Sequence, residues 1–228
     1  MTCLKPGRDG TIDPGAAGCP ALLHCDAVQG FLKVPFTPGE LGVDLLSISG
    51  HKIHAPKGVG AMYVRRGLKI PPLIRGGGQE NGLRSGTEAT GQIAALAAAV
   101  EAGRATLEQD LRHMAELKAY AAGRLTAAVP GLRVLTEGGA PHILPITLPG
   151  YKSEVVVRFL SDLGVYVSSG SACHKGKPSH VFAALNLPKR ERDGVLRVSF
   201  SYDTAREDVD ALACGLEQAG RQLFTALS

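Results

Sequence analysis

The chain has 228 residues, 44% hydrophobic and 20% charged, which is typical of one or two soluble globular domains. The net charge of +4 is dispersed, Trp is absent and aromatic residues make up 5%, so we expect no nucleic-acid partner. No apolar stretch reaches membrane-spanning length, and five cysteines without a Cys-x-x-Cys pair predict a cytoplasmic protein with no membrane contact, disulfide framework or metal site.

The predicted elements alternate between strands and helices along the chain. Apolar runs predict strands over residues 21–25, 44–49, 60–64, 132–135, 143–148, 165–167 and 195–200. Repeats of three or four residues predict helices over 88–102, 107–125, 153–163, 179–185 and 205–223. Thr204 and Glu207 form a predicted capping box for the last helix. This alternation predicts an α/β fold with a domain boundary inside the long helix, around residues 103–130.

Two polar motifs follow neighbouring predicted strands. Asp26 lies in His-Cys-Asp-Ala-Val-Gln (24–29), and Lys52 ends Ser-Gly-His-Lys (49–52). Because α/β sheets bind ligands at the carboxyl ends of their strands, a carboxylate and an amine could point into one crevice. Desolvation makes a lysine nucleophilic toward an aldehyde. The alternatives are a solvated charge for Lys52 and a helix N-cap for Asp26.

Three later segments carry further candidate groups. A glycine-rich loop over 76–87 precedes a helix and suits an anion, or it is simply a loop. Cys173 lies among small residues beside His174 and two lysines, which favours a reactive thiolate over an inert buried cysteine. Arg197 interrupts an apolar strand, where it suits either a substrate carboxylate or an internal salt bridge.

Together, the order and spacing of five motifs resemble the cysteine desulfurases, which are pyridoxal-phosphate enzymes of the class V aminotransferase group. The motifs are HCDAVQ (24–29), SGHK (49–52), GGGQENGLRSGT (76–87), SSGSAC (168–173) and LRVSFS (196–201). The resemblance implies part of a fold type I cofactor-binding large domain over residues 1–105. It also implies a long connecting helix and a small α+β C-terminal domain over 106–228.

The resemblance implies pyridoxal 5'-phosphate as the cofactor and assigns residues to it. Lys52 would hold the cofactor as a Schiff base and later move protons. Asp26 would keep the pyridine nitrogen protonated, so that the ring can accept electrons, and Gln29 would bind the ring hydroxyl. Ser49 and His51 would hold the phosphate.

The remaining implied roles concern the substrate and the partners. Thr87 would reach the phosphate from the second subunit of a homodimer, and Arg197 would bind the carboxylate of L-cysteine. Cys173 would take the sulfur as a persulfide, leaving alanine, and pass it to a sulfur-acceptor or iron–sulfur scaffold protein. Its glycine-serine loop suits a thiol that must reach both substrate and acceptor.

The same resemblance predicts a chain that is N-terminally truncated and internally shortened. Cysteine desulfurases carry a substantial segment before the aspartate motif, with a phosphate-binding loop, a ring-stacking histidine and an asparagine. We expect this half of the cofactor pocket to be missing from the chain. The alternative functions are therefore a selenocysteine lyase or other class V lyase, or a non-catalytic remnant that serves as an interaction module.

Overall fold

The computed structural model describes residues 21–136, 138–169 and 186–225. These residues form a mixture of strands and helices, which confirms the predicted α/β class. The chain divides into two compact units between Leu107 and Glu108. The predicted assignment of residues 1–105 to a cofactor-binding domain and 106–228 to a C-terminal domain stays a prediction.

The first unit contains a three-stranded sheet in the order β1-β2-β3, formed by β1 (His24–Asp26), β2 (Leu45–Ser49) and β3 (Gly60–Val64). β1 is parallel to β2, and β3 is antiparallel to it. Alternation along β2 places Leu46 and Ile48 on one face, where they belong to a cluster with Ala27 and Val43. The opposite face of β2 carries the hydroxyl groups of Ser47 and Ser49.

Asp44 connects the chain segments around these three strands. Its Oδ2 accepts a hydrogen bond from the Leu23 amide at 2.8 Å, and its Oδ1 accepts one from Arg65 Nε at 2.6 Å. Leu23 directly precedes β1, whereas Arg65 directly follows β3. The Leu23 amide, and to a smaller extent Arg65, lower the pKa of the Asp44 carboxyl.

The helix α1 (Thr90–Ala128) is continuous, so the prediction of separate helices over 88–102 and 107–125 was wrong at the connection. No proline interrupts residues 103–106, and a single glycine costs a helix only about 1 kcal/mol. Gly103 also serves packing, because a Cβ there would lie 2.9 Å from Leu32 Cδ1. The predicted apolar stripe is confirmed by its buried members, which are Met114, Leu117, Ala121 and Leu125.

The second unit contains the antiparallel sheet β4-β5-β6, formed by β4 (Arg133–Val134), β5 (Ile143–Thr147) and β6 (Val195–Ser199). Its other helices are α2 (Ser153–Asp162), α3 (Lys189–Arg192) and α4 (Arg206–Gln222). The apolar residues of β5 and β6 are mostly buried, as continuous apolar runs predict for strands in the core. The fully buried core includes Leu125, Leu144, Ile146, Leu160, Leu196 and Leu216.

The structure corrects two further local predictions. Residues 165–167 form no strand, because the Val165 amide donates to Leu160 O at the end of α2 and pairing begins only at Ser168. The predicted capping box of Thr204 and Glu207 does not form, because α4 begins after Ala205, whose amide donates to Asp208 Oδ2. Thr204 Oγ1 instead accepts a hydrogen bond from the Ser201 amide. The helix predicted over 179–185 lies outside the described residues.

The described helices contain no stretch that is both long and apolar enough to cross a bilayer. Within the same residues, no group of three or more His, Cys, Asp or Glu side chains could hold a metal ion.

We expect Asp44→Asn to weaken the first unit in a pH-dependent way. The pKa of this carboxyl is lower in the folded chain, so its stabilising effect is present above the unfolded value of about 3.9. The effect is lost as the pH falls through the folded pKa. The difference in urea midpoint between wild type and Asp44→Asn should therefore shrink on acidification. Glu101→Gln, at an exposed position of α1, is the control, and a pH-independent difference for Asp44→Asn would contradict the expectation.

Candidate functional site

The candidate site begins on the polar face of the first sheet. In the parallel register, His24 lies opposite Leu45 and Asp26 lies opposite Ser47. Residues opposite each other share a face, and the hydrogen bond between His24 Nε2 and Ser47 Oγ, 2.7 Å long, agrees with this. The prediction that the strands before Asp26 and Lys52 are neighbours is confirmed. Asp26 and Ser49 thus lie on one face, at the carboxyl ends of adjacent parallel strands.

Asp26 leaves most of its carboxylate available. One oxygen, Oδ1, accepts a hydrogen bond from the Val28 amide at 3.0 Å, so the side chain closes a turn after β1. The alternative prediction of a helix N-cap was wrong, because the residues after Asp26 form turns and not a helix. The other oxygen accepts no hydrogen bond from a described residue. Asp26 and Gln29 are both exposed, and the turn that joins them begins where the Ala27 amide donates to Ser47 O at 2.9 Å.

Lys52 lies in a 3₁₀ turn, Gly50–Ile53, that directly follows β2. Ser49 Oγ and His51 Nδ1 share a hydrogen bond of 2.8 Å. The hydroxyl and the imidazole are therefore held together in the segment that directly precedes Lys52. Lys52 is half-buried and forms neither a hydrogen bond nor an ion pair with a described residue. Position 50 has little room for a side chain, because a Cβ on Gly50 would lie 3.0 Å from Val59 O.

A second lysine, to which the sequence analysis gave no role, lies in the electrostatic field of the first. Lys33 is half-buried in the turn after β1. Burial lowers the pKa of the Lys33 ammonium, and the charge of Lys52 lowers it further. The sequence gives only a weak indication of this, because a lysine in a turn is ordinarily a solvated charge.

The glycine-rich loop is closed by polar contacts of its own. The Gly86 amide donates to Gln79 Oε1 at 3.2 Å, and Ile74 pairs with Arg84 across the loop. Thr87 follows this loop, before α1, and is exposed. The structure therefore keeps Thr87 accessible, and its predicted contact with the phosphate of a second subunit stays a prediction.

The second unit holds the predicted carboxylate-binding residue. Arg197 lies on β6 and is half-buried, and its Nε is buried without a hydrogen-bond partner among the described residues. It also forms no ion pair with a described residue, so the internal salt bridge is not observed there. Its backbone makes two hydrogen bonds with Ser168, where the SSGSAC motif begins. Cys173, the predicted nucleophile, lies outside the described residues.

Comparison with known proteins shows the family of this chain. The family model described as aminotransferase class-V matches residues 15–212. The chain belongs to the class V aminotransferase family. The chain is 39% identical over 201 residues to a cysteine desulfurase of Klebsiella pneumoniae, covering 86% of the chain and 50% of the relative. It is 37% identical to the cysteine desulfurase NifS of Azotobacter vinelandii, covering 83% and 48% respectively.

Solved structures agree with the sequence relatives. A NifS-like protein matches with a TM-score of 0.79 at 36% identity, covering 89% of this chain and 53% of that chain. A NifS-like protein from Rickettsia africae ESF-5 matches with a TM-score of 0.79 at 28% identity, covering 88% and 54%. The predicted resemblance and fold are confirmed. The chain spans about half the length of the relatives it matches.

We expect Arg197→Met to stabilise the chain while removing a candidate ligand contact. A buried polar atom without a hydrogen bond costs roughly 1–3 kcal/mol, and Met restores most of the buried volume. The free energy of unfolding, measured in urea, should rise by about 1 kcal/mol. Arg158→Met on the exposed side of α2, where the side chain is 83% exposed, should change it by less than about 0.5 kcal/mol. A loss of stability in Arg197→Met would instead indicate a structural pairing of this guanidinium.

Proposed function

We propose that this chain is a cysteine desulfurase-like enzyme, which removes sulfur from L-cysteine with pyridoxal 5'-phosphate and leaves alanine. The observation that carries the proposal is the in-register parallel pairing of β1 with β2. Through this pairing, the Asp26 carboxylate and the Ser49–His51 pair lie at one edge of the sheet. Lys52 directly follows His51 in the chain. The cysteine desulfurase names of the relatives support the reaction, and the whole activity is a proposal because the chain spans half their length.

The residues present fit this cofactor in charge and in donor type. The second carboxylate oxygen of Asp26, which accepts no hydrogen bond from a described residue, suits a protonated pyridine nitrogen, and the exposed Gln29 amide suits a ring hydroxyl. The Ser49–His51 pair offers hydroxyl and imidazole groups for a phosphate. Lys52 is half-buried and has no acidic partner among the described residues, as an amine that captures an aldehyde requires.

Lys52, Arg197 and Cys173 have distinct roles in the proposed reaction. When bound, pyridoxal phosphate supplies an electron sink for the bonds of the substrate's α- and β-carbons. Lys52 holds the cofactor and moves the proton of the substrate α-carbon. Arg197 binds the substrate carboxylate, because a planar guanidinium matches a carboxylate in two places. Cys173 attacks the substrate sulfur and keeps it as a persulfide.

The proposed partners follow from the persulfide and from the exposed site. A sulfur-acceptor protein or an iron–sulfur scaffold protein would receive the terminal sulfur of Cys173. A homodimer would bring the exposed Thr87 of one subunit to the phosphate of the other. A cytoplasmic location completes the proposal, because a reducing compartment keeps the thiol available.

The alternative functions are less well supported. The relatives named above are cysteine desulfurases or NifS-like proteins, so a selenocysteine lyase or another class V lyase is not favoured. A non-catalytic interaction module would lack the two reactions that the following experiments measure.

We expect pyridoxal phosphate to modify Lys52 covalently. Addition of the cofactor to the whole chain should give visible absorbance that survives desalting, and borohydride reduction should fix the added mass on the Lys52 peptide. Lys52→Ala should remove both readouts. Lys57→Ala, five residues along the chain and exposed, should retain them. A colourless wild-type protein, or a label on other lysines only, would contradict the proposal.

We expect Cys173→Ser to abolish desulfuration, since serine cannot hold a terminal sulfur. Alanine formation from L-cysteine should fall by about 100-fold or more, and the persulfide mass should disappear from the peptide that contains position 173. Cys214→Ser removes an exposed thiol of α4 and should retain full activity. Equal rates for wild type and Cys173→Ser would favour the interaction-module alternative.

A further inference from the structure

An open cleft lies on the second unit, between α1 and the residues that precede β5. Its volume is about 420 Å³, which is within the range of small-molecule binding sites. Most of its lining is aliphatic, and the one charged side chain among the described lining residues belongs to Lys118. The residues that α1 contributes are Ala115, Lys118, Ala119 and Ala122.

Lys118 is held at this cleft by two backbone carbonyl groups. The residue lies on the buried side of α1 and is only 7% exposed. Its ammonium donates to Gly138 O at 2.8 Å and to Ala140 O at 3.1 Å. These two carbonyl groups flank Gly139, which itself lines the cleft. The ammonium therefore lies at the wall of the cleft and not elsewhere in the core.

The loop at this wall has a defined conformation that keeps the cleft open. Gly139 has a φ of 80°, in the left-handed region that favours glycine. The Ile143 amide donates to Ala140 O at 3.3 Å and closes a turn. Apart from its chain neighbours, no described residue has an atom within 4 Å of the position that a Cβ of Gly139 would occupy. The space beside this glycine is therefore available to a ligand.

The positive charge of Lys118 forms no ion pair with a described residue. Burial lowers the pKa of its ammonium, because desolvation disfavours the charged form. The two carbonyl groups take up two of the three N–H donors of the ammonium, but they carry no net charge. Because buried charges are ordinarily paired, the third donor and the charge favour an anionic ligand.

The lining of the cleft favours an aliphatic monoanion over a phosphate. A phosphate carries close to two negative charges and three acceptor oxygens, whereas the described lining residues offer a single cation. The methyl groups of Ala115, Ala119 and Ala122 suit a hydrocarbon chain. We propose that the cleft binds a short-chain aliphatic carboxylate, whose charged end pairs with Lys118 and whose chain lies along these alanines.

The proposed site shares no residue with the proposed cofactor and substrate site. Leu144, which lines the cleft, pairs with Val198 of β6, whereas Arg197 pairs with Pro145. Successive residues of a strand point to opposite faces, so Leu144 and Arg197 lie on opposite faces of this sheet. The cleft is therefore distinct from the proposed carboxylate contact of L-cysteine, and the proposal does not depend on the proposed function.

The first experiment titrates the wild-type chain with sodium butyrate, hexanoate and octanoate in a calorimeter. Affinity should rise by up to about fourfold for each methylene group that the cleft buries, and the neutral hexanamide should bind about tenfold more weakly than hexanoate. Lys118→Met should lower the affinity for hexanoate to that for hexanamide. Lys152→Met, at an exposed lysine of the same unit, should retain it. Equal affinities of the wild type for hexanoate and hexanamide, or no saturable binding, would overturn the proposal.

The second experiment fills the cleft without removing the charge, and it decides the question if Lys118→Met does not fold. Ala119 is exposed on α1, so leucine is compatible with the helix and occupies the space of the aliphatic chain. Ala119→Leu should weaken hexanoate binding by about tenfold or more and keep the urea midpoint of the wild type. Ala98→Leu, at another exposed position of α1, is the matched control. Unchanged binding in Ala119→Leu would place the ligand elsewhere and overturn the proposal.

The third experiment locates the ligand in the unaltered chain. Lysines are acetylated with trace acetic anhydride and read by peptide mass spectrometry. Hexanoate should slow acetylation of Lys118 relative to chloride at equal ionic strength and leave Lys152 unchanged; equal rates at Lys118 would overturn the proposal. Glu137, which precedes Gly138, lies outside the described residues. Hexanoate binding by Glu137→Gln but not by the wild type would also overturn it, because the counter-charge of Lys118 would then be internal.

Discussion

The parallel pairing of β1 with β2 is the constraint on which the candidate site depends. Successive side chains of a strand point to opposite faces, so a shift of one residue would send Asp26 to the other face. The apolar partners Leu46 and Ile48 resist such a shift, because it would expose them. Asp44 adds a directional constraint through its bond to the Leu23 amide directly before β1. The register is thus fixed from the apolar face, while the polar face remains available for a ligand.

The two units differ in how much of their apolar surface is buried. The second unit has a continuous core that includes fully buried leucines from α1, α2, α4 and two strands. The first unit has small clusters, and most β3 residues are exposed. Since hydrophobic stabilisation scales with buried apolar area, polar contacts such as that of Asp44 carry more weight in the first unit. The residues proposed to bind the cofactor therefore lie on the less buried of the two frameworks.

The sequence predicted the elements whose periodicity is strong and local. β3 matched residue for residue, and β2 differed by one residue, because apolar runs bounded by glycine or polar residues identify strands well. The predicted break in α1 was wrong, because Gly103 packs against Leu32 and does not end the helix. The strand over 165–167 was wrong because the end of α2 uses the Val165 amide. Both outcomes depend on contacts that a local pattern does not contain.

Part of the candidate site could be predicted from local sequence patterns. Asp26, Ser49, His51 and Lys52 lie within short motifs, so their grouping can be read from the chain. Lys33 could not be found in this way, because its environment depends on the left-handed backbone of Leu32 and on a cluster that includes Leu96. Burial and the proximity of like charges are properties of the folded chain, and they cannot be read from the residue type alone.

The paired backbone bonds between Ser168 and Arg197 limit how far Cys173 can lie from β6. Ser168 donates to Arg197 O and accepts from Arg197 N, at 3.3 and 2.6 Å, so the chain is fastened to β6 at this point. Cys173 follows five residues later, and five extended residues span at most about 18 Å. Under the proposed function, a sulfur acceptor would therefore have to approach the strand that carries Arg197 to within about the length of these five residues.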